Sequence, residues 1–388
     1  MLKTYEYRIY PNREQEEQIA KHIGCSRWIY NYALEKKMKA WKEDKKNLKR
    51  FDIQADLPKL KKSEDTKWLK EVNSQSLQAS LEHLDRAYRH FFKTKKGFPK
   101  FKNKHNNKQS FSIPQHSSVD FEKCLLIVPK IKPISIRLHR KFEGKIKTVT
   151  IKKTSTNKYF SSILVETKDE PKKKLEIKES TTIGIDLGIK DFAILATGEK
   201  IENPKTLTRY ENKLAKAQRI VGRRIKGGKN REKAKFKVAK IHEKIANTRK
   251  DFLHKLSHKL THENQVKSIV IEDLNVKGMM KNRKLAKSIS DCSWSEFVRQ
   301  LEYKSEWYGV NLIKIGRFEP SSKLCSNCGT INQELTLKDR EWTCKNCNTE
   351  HDRDINAAKN IKSIGLNKIP TERRKSTLGE SRCNNATH

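Results

Sequence analysis

The chain has 388 residues, enough for two or more domains that each bury a hydrophobic core, and no stretch approaches the ~18 apolar residues of a membrane span. It carries 86 lysines and arginines against 46 aspartates and glutamates, a formal net charge of +40. This excess repels itself unless a polyanion neutralises it, which favours a nucleic-acid partner; ribosomal-type composition or lysine-rich usage in an AT-rich genome is the alternative.

The N-terminal part begins with a strand and continues as helices. Apolar and polar residues alternate over residues 5–9, which predicts a strand that Pro11 ends. Asn12 can cap the following helix, and Gln15 is placed to complete a capping box. A second helix is predicted at about 74–92 from its apolar stripe. We therefore expect a helical module after the first strand.

Residues 91–111 interleave lysines with Phe98 and Phe101. Lysines pair with phosphates and aromatic faces stack on bases, so this stretch is a candidate surface for a nucleic-acid strand. A solvated basic loop with both phenylalanines in the core is an equally good interpretation. The candidate nucleic-acid-binding residues in this stretch are Lys93, Lys96, Lys100 and Lys102.

The period of the pattern changes to two over residues 121–167. Gly144 and Asn157 stand where turns are needed. The pattern predicts an antiparallel β unit, a small barrel that includes the N-terminal strand. Residues 169–180 form a charged linker that marks a domain boundary.

Residues 181–197 predict a strand, a turn and a second strand. By alternation Asp186 shares one face of the first strand with Gly184 and Gly188, which leave space for a phosphate or a hydrated metal ion. Asp191 lies in the predicted turn and is the weaker candidate.

A basic helical hairpin is predicted over 206–263, broken at the glycine pair 227–228. The next segment, 266–274, is a continuous apolar run, typical of a strand buried on both faces. Carboxylates at the end of such a strand belong to the functional edge of an α/β sheet. Neighbouring side chains of a strand point to opposite faces, so only one of Glu272 and Asp273 can join Asp186. We expect it to be Glu272, which directly follows the apolar run.

Eight cysteines are present, and four of them are scattered, namely Cys25, Cys124, Cys292 and Cys383. The other four form two Cys-x-x-Cys pairs with fifteen residues between them, namely Cys325, Cys328, Cys344 and Cys347. This spacing matches a zinc ribbon, in which four thiolates close a structural Zn²⁺ site. Gly329 and Asn348 supply permissive backbone after each pair, and His351 is interpreted as packing or surface rather than as a ligand. Such cysteine usage indicates a reducing cytosol, so we expect a cytoplasmic, nucleoid-associated protein.

An Ala-rich helix follows the second cysteine pair in the sequence CKNCNTEHDRDINAA. Helical spacing places Asp354 on one stripe with Ala357, Ala358 and Ile361, so the small side chains let that face lie close to a sheet. Asp352, on a wetter face with Asn356 and Lys359, is interpreted as the N-cap.

Three carboxylates from separate segments, Asp186, Glu272 and Asp354, repel one another unless hard cations lie between them. Mg²⁺ or Mn²⁺ fits oxygen ligands, and a metal pair ~3.5–4 Å apart supports phosphodiester cleavage. Each acid alone is more often a surface acid or a cap. The IGIDLG stretch also resembles the phosphate hairpin of actin-like ATPases, although the charge, the cysteine pairs and the lack of a second Gly-rich loop oppose that reading.

Several motifs in order resemble the TnpB (OrfB) family encoded by insertion sequences, which is related to the compact type V CRISPR effectors. They are YEYRIYP, GCSRWIYNYAL, FPKFKNK, IGIDLGIKDFA, IEDLNVKGM and FEPSSKLCSNCG…REWTCKNCNTEHDRDINAAKNI, and they extend to about residue 364. The last set is the most specific.

The resemblance implies a multidomain α+β protein with a RuvC-like nuclease domain of the ribonuclease H fold. The family's catalytic acids match Asp186, Glu272 and Asp354, and its zinc ribbon is inserted before the last catalytic helix. The implied domains are a barrel (wedge) domain at 1–11 and 113–180, a helical recognition module at 12–112, the nuclease at 181–320 with its last helix at 351–366, the ribbon at 321–350, and a disordered tail at 367–388.

The implied activity is RNA-guided, metal-dependent DNA cleavage, with a guide RNA from the transposon end and target double-stranded DNA beside a short motif. Gln75, Gln78 and Arg86 are candidates for reading that motif. A bacterial or archaeal source and a monomeric state are expected. A guide-directed repressor without cleavage and a DNA transposase are the alternatives, although no His-hydrophobe-His motif of the single-strand transposases is present.

Overall fold

A computed structural model describes residues 1–105, 109–263, 266–317, 319–336 and 338–368. The expected disordered tail lies outside the described residues, apart from Asn367 and Lys368. The chain divides into two compact units, Met1–Glu170 and Pro171–His388, and the boundary falls in the charged linker. Among the described residues, no helix combines the length and the apolarity that crossing a lipid bilayer requires.

The described residues of the first unit form seven strands and four helices. They are β1 (Leu2–Tyr10), α1 (Arg13–Asp44), α2 (Arg50–Gln54), α3 (Leu57–Lys62), α4 (Ser74–Thr94), β2 (Gln109–Ile113), β3 (Ser118–Asp120), β4 (Leu125–Val128), β5 (Ile131–Arg137), β6 (Lys145–Lys153) and β7 (Tyr159–Glu166), with a 3-10 helix at Glu64–Glu71. The predicted capping box is confirmed, because Gln15 N donates to Asn12 Oδ1 at 2.9 Å and Asn12 N donates to Gln15 Oε1 at 2.8 Å.

The seven strands form one antiparallel sheet in the order β2-β6-β7-β1-β5-β4-β3. The N-terminal strand belongs to this sheet, as the sequence predicted, and the structure places it at the centre, paired with β7 and β5. The expected small barrel is only partly formed: within the described residues, the edge strands β2 and β3 are not paired with each other. The sheet is instead a curled half-barrel around an apolar core that contains Tyr7, Ile9 and Ile163.

The second unit is built on a mixed sheet with helices. Its elements are β8 (Thr182–Asp186), β9 (Asp191–Leu195), β10 (Lys200–Glu202), α5 (Thr206–Arg223), α6 (Lys229–His258), β11 (Ser268–Glu272), α7 (Val276–Met279), α8 (Ala286–Cys292), α9 (Trp294–Tyr308), β12 (Asn311–Ile315), β13 (Glu341–Thr343), β14 (Glu350–Asp352) and α10 (Arg353–Asn367). The predicted helical hairpin is therefore α5 and α6, and Asp191 begins β9 rather than lying in the turn before it.

The main sheet of this unit has the order β10-β9-β8-β11-β12. Strands β8, β11 and β12 are parallel neighbours, while β9 runs antiparallel to β8 and β10. One face packs on a core that contains Ile183, Ile185, Ile269 and Ile271, and Val270 packs with Ile361 of α10. Strand β11 is thus buried on both faces, as its apolar run predicted.

Candidate functional site

Two of the three candidate acids end neighbouring parallel strands. In the pairing of β8 with β11, Ile185 lies opposite Ile271, so Asp186 and Glu272 follow side by side at the carboxyl edge of the sheet. Ile185 and Ile271 belong to the core on one face, and alternation turns both acids to the other face. The carboxyl edge of parallel strands is where α/β proteins place ligands.

Helix α10 lies against that second face at unusually short range. A Cβ on Gly184 would stand 2.1 Å from the carbonyl oxygen of Ala358, and one on Gly365 would stand 2.3 Å from a methyl carbon of Val270. Ala358 itself is fully buried. Glycine on the strand and alanine on the helix therefore permit the close approach, and this approach brings Asp354, in the first turn of α10, toward the strand ends.

The pKa of Asp186 depends on its burial and on the two other acids. Burial, followed by the negative charges of Glu272 and Asp354, raises the pKa of Asp186 to about 7. Burial also raises the pKa of Glu272, and a hydrogen bond from Ser321 opposes that change. Asp186 is therefore close enough to feel the charges of both other acids, and an added positive charge would favour its ionised form.

The three carboxylates do not crowd into one ligand sphere. Among the described residues, only the four paired cysteines bring three or more His, Cys, Asp or Glu ligand atoms within 4.8 Å of one another. Each of two acids is instead held by its own partner: Ser321 Oγ donates to Glu272 Oε1 at 2.6 Å, and Arg340 Nη1 lies 3.3 Å from Asp354 Oδ2. Acids that share a metal pair need not all reach one ion, so this spacing is compatible with two cations.

The neighbouring acids have different roles in the fold. Asp273 pairs with Arg317, with its Oδ2 2.7 Å from Arg317 Nη2. Asp352 Oδ1 accepts from the backbone N–H groups of Asp354 and Ile355, each at 3.0 Å, so the predicted N-cap is confirmed.

The four paired cysteines form a compact cluster. Cys325 Sγ lies 3.6 Å from Cys347 Sγ, and Cys328 Sγ lies 3.6 Å from Cys344 Sγ. A tetrahedron with Zn–S distances of 2.3 Å has edges of about 3.8 Å, so the sulfurs are spaced for one ion. Gly329 and Asn348 have φ of 77° and 54°, the left-handed backbone expected after each pair. A hydrogen bond with Thr330 lowers the pKa of Cys328 to about 5, whereas burial raises the pKa of Cys325 to about 11, so in this structure only some of the four thiols favour the thiolate.

His351 is buried and packs its ring 4.7 Å from that of Trp342. Its Nε2 lies 3.0 Å from Cys325 Sγ, outside the four-sulfur set. The predicted packing role is therefore consistent with its position, and the ring also reaches the edge of the cysteine cluster.

Two buried asparagines of α10 join this helix to the segment that begins the cysteine cluster. Asn356 donates to Leu324 O at 2.7 Å and accepts from Ser326 N at 2.9 Å, and Asn360 donates to Ser321 O at 2.7 Å. The predicted wetter face is wrong for Asn356, which is only 1% exposed. The amide of Asn356 can be buried because the backbone groups of Leu324 and Ser326 satisfy its hydrogen bonds. Sequence reasoning missed Asn356, Asn360, Ser321 and Arg340; two amides four residues apart were the available signal.

The candidate nucleic-acid residues of the first unit lie in different environments. Gln75 donates to Gln115 at 3.1 Å, and Arg86 donates to Glu82 at 3.2 Å, whereas Gln78 is exposed. Lys93, Lys96 and Lys100 are exposed. The ammonium of Lys102 lies 4.0 Å from the centre of the Tyr30 ring, and its backbone bonds to Asn31 in both directions. Lys102 therefore also fastens the basic stretch to α1.

Family models match three parts of the chain. Residues 162–283 match the OrfB_IS605 model, described as "Probable transposase", and residues 294–361 match "Cas12f1-like, TNB domain". Residues 1–46 match a model described as "Helix-turn-helix domain"; in this structure they contain β1 and the single long helix α1.

Similar whole chains extend the match. A "Putative RNA-guided DNA endonuclease" of Streptomyces pristinaespiralis is 41% identical over 94% of this chain and 89% of its own. "Putative RNA-guided DNA endonuclease InsQ" of Escherichia coli K12 is 30% identical over 94% and 92%. A Cas12f1 chain, solved in the "Cas12f1-sgRNA-target DNA complex", shares the fold, with a TM-score of 0.57 and 16% identity over 93% of this chain and 98% of that one. This chain therefore belongs to the OrfB (TnpB) family of IS605-type insertion sequences.

Proposed function

We propose that this protein is an RNA-guided DNA endonuclease that cleaves phosphodiesters with Asp186, Glu272 and Asp354 around divalent cations. The observation that carries the proposal is the neighbouring exit of Asp186 and Glu272 from two parallel strands, with α10 pressed against Gly184 beside them. The endonuclease names of relatives that match over nearly their whole length support the activity and its RNA guide.

A RuvC-like nuclease domain of the ribonuclease H fold is part of this proposal. The mixed sheet β10-β9-β8-β11-β12, with both strand-borne acids on one edge, supports it. The proposed domains are the nuclease at 181–320 and 351–366, the ribbon at 321–350, the wedge domain at 1–11 and 113–180, and the recognition module at 12–112. The target DNA, its adjacent motif and a transposon-end guide are the partners proposed, with the protein as a monomer.

The donor set suits Mg²⁺ or Mn²⁺, because carboxylate oxygens are the ligands that such hard cations accept. Asp186, Glu272 and Asp354 would hold the ions, which supply activation of water and stabilisation of the leaving oxygen. Burial and like charge favour the protonated form of Asp186 near neutral pH, so this side chain is the one most sensitive to a nearby cation. Ser321 and Arg340 orient the other two acids through the contacts described above.

The cysteine cluster is proposed to hold a structural Zn²⁺. Four thiolates leave no open coordination position, so this ion stabilises the fold and takes no part in the chemistry. A structural role beside the acids is supported by Asn356 and Asn360, which bind the segment that begins the cluster to the helix that carries Asp354.

The first test replaces Asp186 with alanine. The protein is purified from cells that carry its flanking DNA, the co-purifying RNA is sequenced, and cleavage of a matching target is measured with Mg²⁺ or Mn²⁺. We expect Asp186→Ala to lose cleavage while it keeps RNA and DNA binding, and Asp251→Ala, in an exposed pair with Lys255, to cleave like the wild type. An Asp186→Ala protein that still cuts would refute the site.

The same experiment separates the alternatives. A protein that binds its guide and target but never cuts, with all three acids intact, would be a guide-directed repressor. A protein that joins strands rather than only cutting them would be a transposase. Recovery of no discrete RNA would contradict guidance and favour plain polyanion binding.

A further inference from the structure

The first unit has an aromatic groove that folding leaves open. Six aromatic side chains with exposed rings are found in the described residues, and five of them, Trp41, Phe51, Phe92, Phe98 and Phe101, line this single groove. Their exposure runs from 43% for Phe98 to 65% for Phe51. The sixth, Tyr10, lies elsewhere. Contiguous apolar surface of this kind marks a binding site more often than chance exposure.

The walls of the groove are ordered by ring contacts. Phe98 meets Tyr88 at 5.7 Å and Phe91 at 5.3 Å, with both pairs edge to face. Phe92 stacks near Tyr88 at 6.2 Å. The volume is about 1320 Å³, above the ~300–1,000 Å³ of a pocket for one small molecule. The groove therefore has room for several flat groups in succession.

The charge of the groove selects the occupant. Seven lysines and arginines line it against four acids, and the acids Glu82 and Asp85 are already paired with arginines. Lys42, Lys46 and Lys49 have no ion pair within the described part of the chain. A second copy of this chain would bring another +40 charge to the same surface. Interfaces between protein copies are also depleted in lysine, so a polyanion is favoured.

We propose that this groove binds single-stranded nucleic acid by stacking unpaired bases on Trp41, Phe92 and Phe98 while the lysines of its rim contact phosphates. Duplex bases stack on each other and offer only their edges, so an aromatic groove requires unpaired ones. The inference rests on the proposed function for its nucleic-acid ligand. RNA and DNA strands share the required chemistry, and the test separates them.

The test measures binding of the full-length protein to labelled 12-nucleotide oligouridylate and oligothymidylate by fluorescence anisotropy. We expect Trp41→Ala and Phe92→Ala each to weaken binding by about 5- to 150-fold, the effect of losing one base–aromatic stack. Trp41→Phe, which keeps a π-face, should restore most of the affinity. Tyr10→Ala is the matched exposed aromatic and should stay within about twofold of the wild type. A duplex of equal length should bind all variants alike.

The rim is tested by salt dependence. The triple change Lys42→Gln, Lys46→Gln and Lys49→Gln should reduce the slope of log affinity against log salt by about 2, since each single-strand phosphate contact contributes about 0.7. The matched triple at the exposed lysines 172–174 should leave the slope unchanged. Tighter binding of the oligouridylate would identify RNA as the strand bound in the groove, and tighter binding of the oligothymidylate would identify DNA.

Several outcomes would overturn the inference. If Trp41→Ala and Tyr10→Ala bound single strands equally well, the groove would not be the binding site, and the nuclease proposal would be unaffected. A wild-type dimer that Trp41→Ala converts to a monomer in sedimentation, with unchanged strand binding, would make the groove a self-association surface. A wild-type protein that binds neither oligonucleotide nor duplex would contradict the proposed function as well.

Discussion

Replacing Asp186 with asparagine should stabilise the metal-free protein while it abolishes cleavage. The pKa of Asp186 is raised to about 7, mainly by burial and then by Glu272 and Asp354. A folded-state pKa above the ordinary value of ~3.9 means that the folded state binds the proton more tightly than the unfolded state does. The free energy of unfolding therefore falls as pH rises from about 4 through about 7. Asparagine is uncharged and has nearly the same shape, so the variant escapes this loss.

The size of the effect follows from the pKa difference. A shift of ~3 units corresponds to about 4 kcal/mol at ~1.4 kcal/mol per unit. Asp186 is half-buried, and solvent screening reduces the figure to about 2 kcal/mol. For a unit of this size, 1 kcal/mol moves the unfolding midpoint by roughly 2–4 °C, so we expect a gain of roughly 4–8 °C at pH 8.

The assay is thermal unfolding of wild type and Asp186→Asn from pH 4 to pH 8 in a chelator, and again in Mg²⁺. The gain should vanish near pH 4, where the wild-type carboxyl is protonated, and Mg²⁺ should narrow it at pH 8 by stabilising the wild type alone. Asp251→Asn, which removes one exposed carboxylate, controls for the change in net charge. A variant that is less stable than the wild type at pH 8 without metal would refute the account of Asp186.

Three further changes test other parts of the second unit. Gly184→Ala should push α10 away and reduce cleavage at least tenfold with all three acids intact, because the added Cβ would stand 2.1 Å from Ala358 O. The control Gly222→Ala, whose added Cβ would have no atom within 4 Å, should cleave normally. Burial lowers the pKa of Lys304 to about 8, so between about pH 8 and 10.5 the unfolded wild type keeps a proton that the folded state has lost, and the free energy of unfolding rises with pH. Lys304→Met removes this group and should flatten that rise. Identical slopes of unfolding free energy against pH in the two proteins would contradict this. Zinc removal, or Cys344→Ser, should speed amide exchange over residues 353–360, measured by mass spectrometry, and unchanged exchange would separate the ribbon from the helix.

The parts predictable from sequence are those that local periodicity and caps decide. Alternation along 181–187 placed Gly184 and Asp186 on one face, and the spacing of the two Cys-x-x-Cys pairs predicted the four-cysteine cluster. Long-range pairing was not accessible in the same way. Sheet closure depends on whether β2 and β3 meet at distant edges, which no local pattern encodes. The polar side chain of Asn356 indicated a solvent-facing position. The sequence does not show the backbone groups of Leu324 and Ser326 that form hydrogen bonds with it and allow its burial.

Arg340 was missed for a related reason. It precedes β13 in a charged stretch, and a charged stretch ordinarily indicates a solvated surface. The pairing of β13 with β14 places Glu341 opposite Asp352, and Arg353 N donates to Arg340 O at 2.8 Å. This short hairpin brings the guanidinium within 3.3 Å of Asp354. The role of the residue depends on a three-residue pairing that sequence propensity is too weak to predict.

The same contacts explain why a thiolate cluster lies next to the acids. Ser321 is the common element: its carbonyl accepts from Asn360 of α10, and its hydroxyl donates to Glu272 at the end of β11. Four residues later Cys325 enters the cluster, and Leu324 between them accepts from Asn356. A bound Zn²⁺ would restrain this segment at one end, and the segment in turn restrains a strand-borne acid and the helix that carries Asp354. We therefore expect an ion held by the four cysteines to limit how far the carboxylates separate under their own repulsion.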